Sequence, residues 1–227
     1  MNIILDPRLE KAAELVRLGA IAADIGTDHG YLICSLVDSG KCPKGYACDI
    51  NHSPLSVAAK NIALYGLEGK IETILTDGLV GLEEKSPTSI IILGMGGDLI
   101  GEIIAAAPWV KNEKIQLILQ PMTKADHLRR SLYASGFEIV SESAVEAGRF
   151  VYSIFSVEYT GKIAAVDDLF ALTGLLWYNC DNASRLYLSR AADRLQKKAD
   201  GLVRAGQDKN AQKYREIINK IRQKTNA

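Results

Sequence analysis

Apolar segments that favour strands alternate with amphipathic segments that favour helices along the first two thirds of the chain. The predicted strands are Ala20–Ile25 and the stretches GYACDI, KIETILTD, SIIILG and IQLILQP. Helix-like segments separate most of them, and Gly19, Gly40 and Gly66 stand where glycine commonly ends a helix. This alternation predicts an α/β fold, a Rossmann-like doubly wound sheet with its ligand at the carboxyl ends of the parallel strands.

The pattern changes after the fifth strand. The stretch FEIVSESAVEAGRFVYSIFSVEY predicts a pair of antiparallel strands that turn near Gly148. Beyond Gly161 the strand signal ends, and apolar residues recur at steps of three and four on both sides of a polar AGQDKN turn. Two such helices predict an antiparallel, coiled-coil hairpin. We therefore expect a ligand-binding domain over residues 1–160 and a C-terminal helical hairpin over residues 161–227.

The two parts of the chain differ in charge. Residues 1–180 contain 15 Lys+Arg against 22 Asp+Glu, whereas residues 181–227 contain 12 Lys+Arg against 5 Asp+Glu. A basic segment attached to an acidic domain indicates a polyanionic partner. The alternative is a solvated helical surface that is merely rich in Lys and Arg. The candidates for contact with the polyanion are Arg190, Arg194, Lys197 and Lys198.

Composition limits the remaining possibilities. No apolar run approaches the length of a membrane span, and the N-terminal stretch MNIILDPRLEK does not resemble a signal peptide, so we expect a cytoplasmic protein without membrane contact. The four cysteines, Cys34, Cys42, Cys48 and Cys180, form no CxxC pair. We expect buried free thiols and no metal site. The sequence leaves the oligomeric state open.

The most informative loop follows the first predicted strand, in the stretch ADIGTDHGYL. Asp24 and Gly26 stand at the strand end, and Asp28 and Gly30 precede the next helix. A carboxylate here would repel a pyrophosphate, and the spacing differs from the GxGxxG fingerprint. S-adenosylmethionine fits better, because Asp24 can attract its amine while Gly26 lets the backbone come close. The alternative for Asp28 is a cap on the following helix.

Further acids end the next two strands. Asp49, which precedes Ile50, ends the second strand, where an acid can accept the ribose hydroxyls of a nucleoside. Asp77 and Gly78 end the third strand, where an acceptor can bind an adenine amino group. The carboxyl ends of parallel strands meet at one edge of a sheet. The recurrence of acids at three strand ends therefore supports an S-adenosylmethionine site.

The fourth and fifth strands end in residues suited to a flat ligand. Gly94, Met95 and Gly96 lie in the stretch LGMGGDLI, whose glycines allow close backbone approach; the alternative is a tight turn. Gln120 and Pro121 end the fifth strand, where the amide can bond a base and the proline can fix its direction. We therefore include these residues among the candidates for ligand contact.

A resemblance to the bacterial tRNA (adenine-22-N1)-methyltransferase family (TrmK) rests on the stretches ADIGTDHGYL, GYACDINHSPL, TDGL, ILGMGGDLI and LILQPMTKADHLRRSLYASGF. It covers essentially residues 1–160 in order. Members of that family have a class I methyltransferase fold and a C-terminal coiled-coil domain. The family often has alanine where this chain has Gly30, and asparagine after Gln-Pro where this chain has Met122.

The resemblance implies an enzyme that uses S-adenosylmethionine to methylate N1 of adenine 22 in tRNA. It suggests a catalytic role for Asp28, whose carboxylate can stabilise the cationic product ring. His29 and Tyr31 are further candidates for contact with the cofactor or the base. The alternatives are a methyltransferase for another RNA base or a small molecule, and an inactive RNA-binding module. A nicotinamide dehydrogenase is disfavoured by the missing GxGxxG motif.

Overall fold

The computed structural model describes residues 3–226 and contains a seven-stranded sheet in the order β3-β2-β1-β4-β5-β7-β6. Strands β1 to β5 are parallel, and β7 pairs antiparallel with both β5 and β6. The strands are β1 (Ile21–Ile25), β2 (Lys44–Asp49), β3 (Ile71–Leu75), β4 (Ser89–Gly96), β5 (Gln116–Thr123), β6 (Phe137–Ala147) and β7 (Phe150–Tyr159). From β1 the chain adds β2 and β3 on one side, and it then returns to add β4 and β5 on the other side. The carboxyl ends of β1 and β4 therefore mark the switch point, which is where doubly wound proteins bind ligands.

Helices cover both faces of the sheet. They are α1 (Pro7–Leu15), α2 (Tyr31–Asp38), α3 (His52–Leu64), α4 (Gly97–Ala105), α5 (Ala125–Ala134), α6 (Asp168–Thr173), α7 (Asn182–Arg204) and α8 (Asp208–Asn226). One core layer contains buried residues of α1, α2 and α3, and the other contains buried residues of α4 and α5. The predicted doubly wound α/β fold is therefore confirmed, and within residues 3–226 no helix combines the length and the apolarity that a bilayer span requires.

The last two helices form the predicted hairpin. Leu188, Leu195, Ile218 and Ile221 are buried in a separate apolar cluster between α7 and α8. The Asp181 side chain accepts hydrogen bonds from the backbone N–H and the hydroxyl of Ser184 and thereby caps α7. Because the apolar side chains of α7 and α8 are buried against each other, most of the Lys and Arg side chains of these helices face outward.

A buried ion pair joins the sheet to the segment that leads into the hairpin. Arg129 of α5 and Glu142 of β6 are fully buried, and their side chains meet at 2.6 Å. Arg129 also donates to the Ala171 carbonyl at 2.6 Å, and Glu142 accepts from the Leu175 N–H at 2.9 Å. Burial alone would lower the pKa of Arg129, but Glu142 and Tyr187 more than reverse this and raise it above its usual value.

The sequence-based prediction of four buried free thiols is confirmed for three of the cysteines and wrong for the fourth. Cys34, Cys42 and Cys48 are buried free thiols, and burial raises the pKa of both Cys34 and Cys42 to about 11. Cys180, however, is exposed. It lies in the loop between a 3₁₀ helix (Gly174–Tyr178) and α7, with the polar Asn179 and Asp181 on either side in sequence.

We predict that Arg129→Met lowers the free energy of unfolding by about 3–5 kcal/mol, because Glu142 is left buried and unpaired. The double variant Arg129→Met/Glu142→Leu should lose much less than the sum of the single changes, since both charges are removed. Urea denaturation measures both effects. The exposed pair of Lys85 with Glu72 is the control, and Lys85→Met should leave stability nearly unchanged. Equal small losses for both pairs would contradict the prediction.

Candidate ligand site at the carboxyl edge of the sheet

The loop after β1 is held across the end of β2. The backbone N–H groups of Gly26 and Thr27 both donate to the Cys48 carbonyl, at 2.8 and 2.9 Å. Gly26 has a φ of 73°, and a Cβ built on it would lie 2.5 Å from Cε of Met95. Only glycine fits without displacing Met95. The backbone therefore turns tightly at Gly26, where no side chain projects, at the switch point of the sheet.

Asp24 lies beneath this loop with only 5% of its surface exposed. Its carboxylate accepts a hydrogen bond of 2.7 Å from the Thr27 hydroxyl. Burial raises the pKa of Asp24 to about 6, and the nearby charges of Asp49 and Asp28 add to the rise, against the lowering effect of Thr27. A buried carboxylate with an elevated pKa beside a cavity is suited to binding a cationic ligand group.

Asp28 is exposed at the rim of the site. Its φ of 53° is unusual for a residue other than glycine, and its Oδ1 lies 3.4 Å from Nδ1 of His29. Helix α2 has Gly30 as its N-cap residue, without a side-chain capping bond. Asp28 is thus not a helix cap, which removes the simplest structural explanation for it. The rings of His29 and Tyr31 meet edge to face at 5.9 Å.

A cavity of about 290 Å³ opens in front of this loop. We call it the acidic cavity; it is lined by Asp6, Arg8, Leu9, Asp24, Gly26, Thr27, Asp28, His29, Tyr31, Leu32, Leu93 and Gly94. It brings together six of the residues that the sequence singled out. A larger depression of about 500 Å³ lies at the amino ends of β2 and β3, away from the strand ends that carry the acids.

Asp49 of β2 and Asp77, which follows β3, do not line the acidic cavity. Asp49 is 9% exposed, and its Oδ1 accepts a 2.8 Å hydrogen bond from the backbone N–H of Asn51. Ile50 is 60% exposed and offers an apolar surface at the same edge. Asp77 is exposed, and Gly78 has a φ of 56° with Ile103 close to where a Cβ would stand.

Gln120, a residue of β5, is fully buried. Its Oε1 accepts from the Gly94 N–H at 3.1 Å and from Arg8 at 3.4 Å, and its Nε2 lies 3.4 Å from the Met122 sulfur. The amide is therefore engaged within the protein and fixes the loop around Gly94. Met95 and Gly96 continue that loop, and Met95 pairs with Pro121 across the sheet.

Arg8 is a site residue that sequence reasoning missed. Its side chain reaches Gln120 and lies 4.0 Å from the Met122 sulfur, and its guanidinium carbon is 5.6 Å from the centre of the Tyr152 ring. Asp6 caps α1 by accepting from the Arg8 and Leu9 N–H groups, which fixes the first turn. The sequence signals Asp6-Pro7 as a helix start, but nothing in it shows that Arg8 faces β5.

A second cavity of about 430 Å³ lies between the sheet and the hairpin. Three of the residues that the sequence suggested for substrate contact line this cavity, namely Pro121, Arg194 and Lys198. Arg190 and Lys197 are exposed on α7 outside this lining. Aromatic residues of β7, α7 and α8 that the sequence did not single out complete its walls. Among residues 3–226, no group of three or more His, Cys, Asp or Glu side chains is arranged to hold a metal ion.

The methyltransferase-domain family matches residues 5–155. The tRNA (adenine(22)-N(1))-methyltransferase of Bacillus subtilis is 34% identical over 172 residues, which cover 76% of this chain and 72% of that protein. The crystal structure of the B. subtilis m1A22 tRNA methyltransferase TrmK aligns with a TM-score of 0.87 at 25% identity, covering 97% and 99% of the two chains.

A second solved structure is similar over nearly the whole chain. TrmK of M. capricolum, in complex with the cofactor product S-adenosyl-homocysteine, aligns with a TM-score of 0.80 at 29% identity and covers 98% of each chain. The likeness therefore includes the helical hairpin as well as the sheet.

The raised pKa of Asp24 predicts a pH dependence of stability. Its unfolded pKa is about 4, so the folded state holds the proton more tightly and loses stability as the pH rises from about 4 through 6. Asp24→Asn, which mimics the neutral acid, should be more stable than the wild type by about 2–3 kcal/mol near pH 8, and nearly equal to it near pH 4.

Urea denaturation at the two pH values measures this difference. Asp77→Asn removes the same charge from an exposed position and serves as the control. A difference between the wild type and Asp24→Asn that is the same at both pH values would contradict the assignment.

Proposed function

The chain belongs to the tRNA (adenine(22)-N(1))-methyltransferase family, and we propose that it transfers a methyl group from S-adenosylmethionine to N1 of adenine 22 in tRNA. The observation that carries the proposal is the acidic cavity, where the buried Asp24 and the glycine turn at Gly26 meet at the switch point of the sheet. A tRNA substrate puts the reaction in the cytoplasm.

The residues at the carboxyl edge fit the cofactor. The turn at Gly26 leaves no side chain in the way of a ligand, and Gly94 has open space where a Cβ would stand. Asp24 supplies a buried negative charge for the amine or the sulfonium, and Asp49 offers a carboxylate for the ribose hydroxyls. Ile50 and Asp77 with Gly78 flank the adenine end. Met95 and Gly96 continue the wall beside Gly26.

When bound, S-adenosylmethionine supplies an electrophilic methyl group on a cationic sulfur. The lone pair of adenine N1 forms the new N–C bond while the S–C bond breaks, so the positive charge moves from the sulfur to the purine ring. Asp28 is the group we assign to this charge, because its exposed carboxylate stands at the rim of the acidic cavity. His29 and Tyr31 line the same rim and hold the base or the cofactor in line.

The base must leave its stack to present N1, since this atom lies on the pairing edge. Pro121 of β5 lines the cavity between the sheet and the hairpin, and Gln120 is a positioning residue whose side chain accepts from the Gly94 N–H. The C-terminal hairpin, which we assign to residues 161–227, then contacts the phosphate backbone through Arg190, Arg194, Lys197 and Lys198. This division leaves residues 1–160 as the catalytic domain.

The deciding experiment is mass spectrometry of nucleosides from unmodified tRNA incubated with the enzyme and isotope-labelled S-adenosylmethionine. We expect labelled N1-methyladenosine, and a tRNA with guanosine at position 22 should yield none. Label in another nucleoside would favour the alternative of a methyltransferase for a different RNA base. Binding of both ligands without any label transfer would favour the inactive RNA-binding module.

Two substitutions separate cofactor binding from chemistry. Asp28→Asn preserves the left-handed backbone that Asn tolerates and should lower kcat by about 100-fold or more with little change in cofactor affinity. Asp49→Ala should weaken cofactor affinity about tenfold or more, because two hydroxyls lose a charged acceptor. Calorimetry and single-turnover kinetics measure the two effects. Parallel loss of affinity and turnover in Asp28→Asn would make Asp28 a binding residue instead.

The hairpin charges predict a salt-dependent affinity for tRNA. Arg190→Glu combined with Lys197→Glu should weaken binding and reduce the slope of log affinity against log salt by about one per cation. Lys60→Glu with Lys111→Glu makes the same charge change at exposed positions outside the hairpin and should have much less effect. Equal slopes for the two double variants would mean that the hairpin does not meet the RNA.

A further inference from the structure

The acidic cavity contains one basic side chain among its carboxylates. Within residues 3–226, Arg8 is the only Lys or Arg that lines it. The lining also contains three carboxylates, those of Asp6, Asp24 and Asp28. The proposed function assigns carboxylates to the positive groups of S-adenosylmethionine, but the methionine part of this cofactor carries a carboxylate of its own. A charge that leaves water requires a partner, and Arg8 is the residue in the cavity that can supply one.

Arg8 and the acids of the first loop approach the cavity from different strands. Asp24 belongs to β1, and Asp28 lies in the loop that follows this strand. Arg8 instead lies against β5, where it donates to Oε1 of Gln120 at 3.4 Å. The same oxygen accepts from the N–H of Gly94, a residue of β4 that lines the cavity. The cavity therefore has a negative side at β1 and a positive group at β4 and β5.

The guanidinium of Arg8 is held in place without being saturated. Asp6 accepts from Nη2 at 3.0 Å, and the ring of Tyr152 lies 5.6 Å from the guanidinium carbon. The contacts of Nη1 with Gln120 and with the Met122 sulfur are long, at 3.4 and 4.0 Å. A guanidinium carries more N–H donors than these contacts occupy within residues 3–226. The side chain is 27% exposed, so a group that enters the cavity can reach it.

The remaining lining suits a short hydrocarbon chain. Leu9, Leu32 and Leu93 line the same cavity, and Gly94 has open space where a Cβ would stand. Ligand pockets are commonly apolar with a few polar groups that fix the orientation of the ligand. The methionine part of S-adenosylmethionine is a short chain that ends in an ammonium and a carboxylate. Its composition therefore matches the acids, the single guanidinium and the apolar side chains of this cavity.

The three acids also decide which kind of anion the cavity accepts. A free anion such as an RNA phosphate is repelled by the carboxylates of Asp6, Asp24 and Asp28. A carboxylate that is attached to an ammonium and a sulfonium brings its own positive charges and is attracted as a whole. The charges of the lining thus favour the cofactor over the RNA backbone as the ligand of Arg8.

We propose that Arg8 binds the methionine carboxylate of S-adenosylmethionine, while the carboxylate of Asp24 receives the ammonium or the sulfonium. This inference rests on the proposed function and adds the anionic contact of the cofactor to it. A guanidinium suits this task because its parallel N–H donors can bind both oxygens of a carboxylate. The contact makes the site selective for ligands that retain the carboxylate, and it sets the direction of the methionine part in the cavity.

The experiment is calorimetry of the wild type and Arg8→Met with three ligands in the absence of RNA. S-adenosylmethionine has all the charges, S-adenosylhomocysteine lacks only the sulfonium charge, and decarboxylated S-adenosylmethionine lacks only the carboxylate. We expect Arg8→Met to weaken the affinity for the first two about tenfold or more, because the carboxylate loses a charge-assisted contact. It should bind the decarboxylated ligand at least as tightly as the wild type does, since no contact is left to lose.

The matched control is Arg17→Met. Arg17 pairs with Glu158 at 2.6 Å, and its backbone N–H donates to Gln116 at the first residue of β5, so it lies at the opposite end of this strand from the cavity. Its replacement should leave all three affinities unchanged. Arg8→Lys keeps the charge without the paired donors and should show the same ligand pattern with a smaller loss, which tests the inference even where Arg8→Met does not fold.

The outcomes separate the roles that Arg8 can have. Equal losses with all three ligands would make Arg8 a brace between α1 and β5 and overturn the inference. Unchanged cofactor affinity together with weaker tRNA binding would assign Arg8 to an RNA phosphate and overturn it as well. A wild type that binds the cofactor with the expected dependence on Arg8 but transfers no methyl group to tRNA would overturn the proposed function and support the inference. A wild type that binds none of the three ligands would overturn both.

Discussion

The buried contact between Arg129 and Glu142 links the sheet to the segment that leads into the C-terminal hairpin. It connects α5 and β6 of the sheet to the Ala171 carbonyl and the Leu175 N–H of the segment that precedes the hairpin. Gly174 must be glycine here, because a Cβ would lie 2.0 Å from Oε2 of Glu142. A charge pair without access to water tolerates little displacement. The segment that leads into the hairpin is thereby held against the sheet, and Arg129 also donates to the Tyr187 hydroxyl of α7 at 3.4 Å.

Much of the sheet and its acidic edge was predictable from the sequence for a physical reason. Parallel strands buried on both faces are continuous apolar runs, and the polar residues that follow them all emerge at one edge. The order of residues along the chain therefore suffices to assign Asp24, Gly26 and Asp28 to one site. The resemblance to a known family added the reaction and the substrate, which spacing alone left open between several enzymes and a binding module.

The features that escaped prediction depend on contacts between distant parts of the chain. The insertion of β7 between β5 and β6 places β7 beside α7, and no local pattern encodes that strand order. Arg8 meets Gln120 across 112 positions of sequence. Gln120 has the residue type of a base-binding amide, but its burial and its bond to the Gly94 N–H were invisible to pattern analysis.

The uneven charge of the chain follows from the chemistry. A site that attracts a cationic cofactor and stabilises a cationic product needs carboxylates, and the charges of Asp49 and Asp28 lie close enough to the buried Asp24 to add to the rise in its pKa. The same carboxylates repel the phosphates of an RNA substrate. A negatively charged catalytic edge therefore requires a separate source of attraction, and we assign that role to the helices of the hairpin, which have 12 Lys+Arg against 5 Asp+Glu over residues 181–227. Under the proposed function, the division of the molecule into an acidic sheet and a basic hairpin suits two ligands of opposite charge, the cationic cofactor and the anionic RNA.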